Sequence, residues 1–273
     1  MKMDIPISEL AFVFLDTETT GLSPEFGDRM CEIALLKTKN GEILDSYQSL
    51  INPGRMISPG ASAVNGITDE MVQGKPYFKD IIDDFMRIID NSVLVIHNAP
   101  FDLSFLSTQF RILQKPVFDN PVIDSLFLAR KYYRFPSNRL SAIGECLQIQ
   151  INQLHRAYGD VAILKGIFDS FLNDFQEKGV STLEDLLALQ GGSIHLPKPM
   201  EIILPPQLEE AIASHKSIQL RYLDSQGHQS KRKVEPIDVT VSNEIIYLVA
   251  HCHLRNDQRT FRLDRIIEME IIS

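Results

Sequence analysis

Asp16 and Glu18 lie two residues apart in the run Asp16-Thr17-Glu18-Thr19-Thr20-Gly21-Leu22, directly after the apolar stretch Phe12 to Leu15. On an extended strand, residues i and i+2 point to one face, so these carboxylates sit side by side and repel. A shared hard cation removes that repulsion, and an all-oxygen donor set suits magnesium or manganese. A solvated acidic turn has the same local pattern. Two further runs, His97-Asn98-Ala99-Pro100-Phe101-Asp102 and His155-Arg156-Ala157-Tyr158-Gly159-Asp160, each put a carboxylate where a helix is expected to begin. The helix dipole favours negative charge there with or without a metal, and His155 alone reads as readily as a surface histidine. Taken together, four carboxylates and one imidazole at three strand or helix ends are what a two-metal phosphodiesterase needs, carboxylates to hold the ions and a base beside them. Such a site holds ions roughly 3.5 to 4 Å apart, activates a water and stabilises the leaving oxygen. His155, with the ordinary imidazole pKa of about 6.5, is mostly neutral near pH 7 and able to accept the water's proton.

The surrounding pattern supplies elements to carry these groups. Strands are expected at Phe12 to Leu15, Glu32 to Lys37 and Ile43 to Ile51, an antiparallel start. Phe78, Ile81, Ile82, Phe85, Ile88 and Ile89 recur at helical spacing, and Val93 to Ile96 reads as a short strand. A helix beginning at Pro100, a strand at Val122 to Ile123, and helices over Leu126 to Tyr132 and Leu140 to Leu147 follow. The stripe Val161, Leu164, Phe168, Phe171 and Phe175 marks a long helix closing the first core. A short helix from Thr182 to Gln190, capped by Ser181, precedes Gly191, Gly192 and the prolines 197, 199, 205 and 206, which mark a linker. Beyond it, a helix at Leu208 to Ala213 and strands at Ile218 to Tyr222, Ile245 to Cys252 and Thr260 to Ile266 describe a small β-rich domain.

The motifs DxETTGL, HNAxFDxxF and HxAxxD, in this order, with Asn52-Pro53 and Val64-Asn65-Gly66-Ile67-Thr68 between them, resemble the DEDDh 3′-to-5′ exonucleases. This is the family of the epsilon-type proofreading subunits of DNA polymerase III. The likeness covers residues 11 to 175. It implies an α/β, ribonuclease-H-like fold, a mixed sheet flanked by helices. It assigns Asp16, Glu18, Asp102 and Asp160 to two Mg2+ or Mn2+ ions and His155 to the general base. It also places Thr19 and Thr20 beside a terminal nucleotide, Leu22 near its base, and Asn65, Asn98 and Phe101 in the substrate pocket. Asn65 stands where many relatives have histidine. Read without the likeness, Thr19 and Thr20 are turn residues and Phe101 is core.

Leu220-Arg221-Tyr222, Val234-Glu235-Pro236, Ile246 to Ala250 and Arg259 to Ile266 resemble a WYL domain over residues 205 to 272, which implies a small β-barrel of SH3 or Sm type. Ile246 replaces the tryptophan of that family's name. Within residues 215 to 265 nine basic groups face six acidic ones, and Arg221, Arg259, Arg262 and Arg265 are candidate contacts for a nucleic-acid or nucleotide ligand. A solvated strand face explains them equally well. His251-Cys252-His253 is not a zinc site on this reading, because alternation turns Cys252 away from both histidines. The domains are expected at 1–178, 179–204 and 205–273.

Composition narrows the class. At 273 residues, 44% hydrophobic and 23% charged, the chain is neither disordered nor of low complexity. Its 27 basic against 36 acidic residues give −9, which argues against indiscriminate charge-driven binding of duplex nucleic acid. Residues 1–178 carry most of the excess, 17 basic and 23 acidic. No apolar run approaches the roughly 18 residues of a membrane span, the apolar run before Asp16 is too short for the hydrophobic part of a secretory signal, so none is expected, and three scattered cysteines form neither a disulfide set nor a metal pair. The expected location is cytoplasmic. The expected substrates are single-stranded DNA or RNA 3′ ends. The alternatives are a catalytically weak nucleic-acid-binding or ligand-sensing protein and a polymerase-associated proofreading subunit, for which no polymerase-binding tail is identified.

Overall fold

The protein is described by a computed structural model over residues 1–149, 156–195, 204–242 and 245–272. It divides into two compact units, Met1–Leu22 with Arg29–Lys198 and Ser23–Asp28 with Pro199–Ser273.

The first unit is built on five strands: β1 (Ala11–Thr19), β2 (Met30–Lys39), β3 (Glu42–Leu50), β4 (Ser92–Ile96) and β5 (Val122–Asp124), in the order β3-β2-β1-β4-β5. Asn40 and Gly41, both at positive φ (52° and 81°), make the tight turn that lets β3 return antiparallel to β2. β4 and β5 follow helical crossovers and pair parallel, β4 to β1 and β5 to β4, so the sheet is mixed. The crossovers are α1 (Pro59–Asn65), α2 (Asp69–Val72) and α3 (Phe78–Ile89) before β4, and α4 (Ala99–Ile112) before β5. After β5 come α5 (Ser125–Tyr132), α6 (Leu140–Cys146), α7 (Ala157–Glu177) and α8 (Leu183–Ala188).

The alternation of β1 divides the core. Phe12 and Phe14 pack on one sheet face with Val161, Leu164 and Phe168 of α7, and both rings meet Phe168 edge-on at 5.2 and 5.8 Å. Val13 and Leu15 point to the opposite face, among Phe78, Phe85 and Phe110 of α3 and α4. A strand buried on both faces reads as a continuous apolar run, as Ala11 to Leu15 does. Carried two steps further, the same period sends Asp16 and Glu18 toward α7 and Thr17 toward α4.

The second unit holds α9 (Pro206–Ala213) and β6 (Ser217–Leu223), β7 (Gln229–Ser242), β8 (Ile245–Cys252), β9 (Asp257–Arg262) and β10 (Ile266–Ile272), in the order β10-β6-β7-β8-β9, all antiparallel. Leu208 and Ala211 of α9 join Ile218, Leu220, Val234, Leu248 and Phe261 in its core. The sheet curls enough for the Tyr222 ring of β6 to meet Phe261 of β9 at 5.2 Å. Among the described residues no ladder joins β9 to β10. The run Thr260 to Ile266, expected as one strand, is interrupted: a single 3-10 turn at Leu263–Arg265 ends β9 and starts β10. No helix among the described residues is long and apolar enough to cross a membrane.

Candidate active site

One ligand-capable oxygen from each of Asp16, Glu18 and Asp160 falls within 4.8 Å of the others, the one such group of three among the described residues. Asp16 and Glu18 come from the end of β1, and Asp160 from the first turn of α7, on the sheet face predicted by the β1 alternation. Asp102, in the first turn of α4, is buried, and its charge acts on Asp16. Its Oδ1 accepts hydrogen bonds from the Thr17 amide (3.0 Å) and hydroxyl (2.7 Å). Thr17 thus joins the fourth carboxylate to the strand that carries the first two.

The carboxylates resist ionising together. Burial raises Asp16 well above its ordinary value, helped by the negative charges of Asp102, Glu18 and Asp160. Burial, then Asp160, pushes Glu18 to about 7, while a hydrogen bond from Asn65 pulls it down. Asp102 is also pushed to about 7 by burial, against the lowering effect of its bonds from Thr17. A cluster of oxygens that repel one another when charged, with no basic side chain within the group of three, fits hard divalent cations.

The remaining site candidates divide by surroundings. The buried Asn65 uses both ends of its amide: Nδ2 donates to the Thr19 carbonyl (3.3 Å) and Oδ1 accepts from the Ile67 amide (3.0 Å). The Thr19 hydroxyl closes a turn on the Gly21 carbonyl at 2.6 Å, and Thr20 Oγ1 accepts from the Arg29 amide at 3.1 Å. Leu22 is 81% exposed, an apolar side chain left in water four residues beyond Glu18 in the chain. Asn98 caps α4 in the left-handed region at φ 71°, its amide donating to Asp124 Oδ1 at 2.9 Å. Phe101 is partly buried against Phe105, with ring centres 5.1 Å apart. His155 lies outside the described residues.

In the second unit the candidate arginines have carboxylate neighbours. Arg221 pairs with Glu268 (2.5 Å), Arg262 grips Asp264 through Nε and Nη2 (3.0 and 2.6 Å), and Arg259 lies 3.8 Å from Asp257. Arg265 ends the 3-10 turn. Cys252 is fully buried, while His253 bonds Glu235 at 2.8 Å. Three residues at the first site escaped the motif reading. Thr17 and Asp124 orient Asp102 and the start of α4. Glu32 of β2 is fully buried and directly opposite Glu18 in the ladder. The available signal for Glu32 was one charge inside the otherwise apolar run Met30–Leu36 of β2.

Residues 13–168 match the exonuclease family of RNase T type, and residues 205–271 match the WYL domain. The chain belongs to the exonuclease family. It is 37% identical over 189 residues to DNA polymerase III PolC-type of Bacillus subtilis (strain 168), covering 68% of this chain and 13% of that protein. With the DNA polymerase III subunit epsilon-like protein of Rhodobacter capsulatus it shares 35% over 189 residues, 67% of this chain and 27% of that one. The chain thus spans a small fraction of these relatives. Among solved structures, Exonuclease X in complex with 5′ overhanging duplex DNA superposes with a TM-score of 0.52 at 27% identity, over 66% of this chain and 99% of that one. Exonuclease I in complex with a dT13 oligonucleotide, at 18% identity and a TM-score of 0.54, shares the fold. The family carries hydrolytic exonuclease chemistry, and the acidic group at the end of β1 lies within the matched residues.

Proposed function

We propose that the chain removes nucleoside monophosphates from single-stranded 3′ ends by hydrolysis dependent on two Mg2+ or Mn2+ ions. The observation that supports this most directly is the meeting of Asp16, Glu18 and Asp160 within 4.8 Å, with Asp102 tied to the same strand through Thr17. When bound, the divalent ions supply charge neutralisation and a water of lowered pKa. Asp16, Glu18, Asp102 and Asp160 would hold them. His155 takes the proton of the attacking water. Leu22 and Phe101 offer apolar faces to the terminal base, the Thr19 and Thr20 turn sets the backbone beside its sugar, and Asn98 fixes the start of α4. Asn65, with both amide ends engaged, acts on substrate by holding the Glu18 end of β1 rather than by contacting the nucleotide. Without divalent ions the carboxylates repel phosphate, so substrate affinity follows metal concentration more than surface charge.

For the C-terminal unit, the reading is a small-barrel domain in which Arg221, Arg259, Arg262 and Arg265 meet a nucleic-acid or nucleotide ligand by exchanging their carboxylate neighbours for phosphate. The PolC-type relatives favour a second reading, that the chain works beside a DNA polymerase.

The deciding experiment digests 5′-labelled single-stranded DNA, matching RNA and a mismatched duplex end with full-length protein, in Mn2+ and in EDTA. The expected result is a ladder shortened from the 3′ end in Mn2+ alone, with Asp16→Asn and His155→Ala each slowed by at least about a hundredfold. No metal-dependent digestion, or full activity in either variant, overturns the proposal.

A further inference from the structure

Glu32 sits where a carboxylate is hard to keep. It is fully buried and directly opposite Glu18 across the antiparallel β1–β2 ladder, so both side chains project from one face. Like charges in that relation are destabilising. The Glu32 oxygens are taken by protein donors: Arg156 Nη2 gives 2.8 Å to Oε1, Arg156 Nε gives 3.1 Å to Oε2, the Ala157 amide gives 3.2 Å to Oε2, and Gln48 Nε2 gives 2.9 Å to Oε1. The paired fork is the geometry only arginine supplies. With its lone pairs used in this way, Glu32 is not a fifth metal ligand, and its charge is matched locally.

Its partner stands at the cap of α7. The Arg156 carbonyl accepts the helical bond from the Asp160 amide at 3.1 Å. The guanidinium held by β2 and the Asp160 carboxylate beside Glu18 are therefore one helical turn apart on the same element. A bond spanning 124 residues fixes the start of α7 at the ladder position that presents Glu18.

We propose that Glu32 and Arg156 are a positioning pair that sets Asp160 against Asp16 and Glu18. This rests on the metal-dependent reading above and adds residues that reading did not use. Removing one member of a buried ion pair also endangers the fold, so the informative variant is Arg156→Lys, which keeps the charge and loses the fork, beside Arg156→Ala and Glu32→Gln.

The test uses full-length protein near pH 8 and follows Mn2+ binding by calorimetry, the melting temperature without metal, and kcat and KM on a short single-stranded oligonucleotide. In folded Arg156→Lys the expected result is a five- to tenfold weaker Mn2+ affinity and a tenfold or greater fall in kcat, with KM within twofold. Added methylguanidinium should restore part of the kcat and Mn2+ affinity of Arg156→Ala and leave Asp160→Asn unchanged. Wild-type Mn2+ affinity and kcat per folded molecule in Arg156→Lys and Arg156→Ala would overturn the proposal and leave the pair a purely structural contact. If wild-type protein binds Mn2+ and digests nothing, the nuclease reading fails while the affinity series still judges the pair.

Discussion

Glu18, about 7 in the folded chain against an ordinary 4.5, and Asp102, about 7 against 3.8, are raised chiefly by burial, and Asp16 moves in the same direction. A carboxyl whose folded pKa exceeds its unfolded one holds an extra proton in the folded state between the two values. Its stabilising contribution is present below the unfolded value and lost as pH rises through about 7. Metal-free protein is therefore penalised by these groups near pH 8 and relieved of that penalty below about pH 4.5. Mn2+ binds the ionised form, so the rise in melting temperature on adding Mn2+ should be larger near pH 8 than near pH 5.5; an equal rise at both would contradict the assignment. The same repulsion predicts that Asp16→Asn melts higher than wild type in EDTA near pH 8. At roughly 2 to 4 °C per kcal/mol for a chain of this class, the gain is a few degrees, and it should disappear in Mn2+, where wild type recovers and the variant does not.

α7 carries the tightest constraint at the scale of elements. A Cβ added at Gly166 would lie 2.9 Å from Ile149 Cγ2 and 3.1 Å from Cδ1. Alanine is worth about 1 kcal/mol over glycine inside a helix, so Gly166→Ala should stabilise on propensity alone. Here it should lower the urea midpoint, and in an Ile149→Ala background the same substitution should raise it. A stabilising effect in both backgrounds would show that Ile149 moves aside freely. The residues that made α7 legible are its apolar stripe, all of it buried, and α3 runs over Phe78–Ile89 as its spacing required. The capping residue of α8 proves to be Thr182, whose hydroxyl accepts from the Asp185 amide, rather than Ser181. β7 was not among the expected strands: Lys231, Arg232, Lys233 and Pro236 carry no alternating apolar pattern, and pairing with β6 and β8 makes them a strand. Pro236 is tolerated at the register shift between Pro236 and Asp238. In the site, the carboxylates declared themselves through spacing along the chain. Glu32 with Arg156, and Thr17 with Asp102, depend on contacts between elements remote in sequence, which no local period encodes.

At the scale of the whole molecule, residues beyond the long helix belong to the core that supports the site. Leu183, Leu186 and Leu187 are buried with Phe171 and Phe175, and the Leu183 amide bonds the Ile5 carbonyl at 2.9 Å. Gln190 reaches β5, its Nε2 donating to the Val122 carbonyl (2.7 Å) and its Oε1 accepting from the Asp124 amide (2.9 Å). Asp124 in turn holds Asn98 at the start of α4, the helix of Asp102. Burying a leucine contributes about 1.5 to 3 kcal/mol, so losing three removes roughly 5 to 9 kcal/mol, comparable with the whole stability of about 5 to 15 kcal/mol typical of a domain. A fragment 1–178 should therefore fail to melt cooperatively, whereas 1–195 should melt as one transition and shift upward with Mn2+. Equal melting of the two fragments would mean that α8 is dispensable to the core. The 1–195 fragment then isolates the contribution of residues 196–273, which hold all but Ser23–Asp28 of the second unit. If the arginines of β6 and β9 help select the strand, 1–195 should lose the preference of full-length protein between DNA and RNA ends while keeping its kcat on a dinucleotide. Unchanged preference would confine specificity to the first unit.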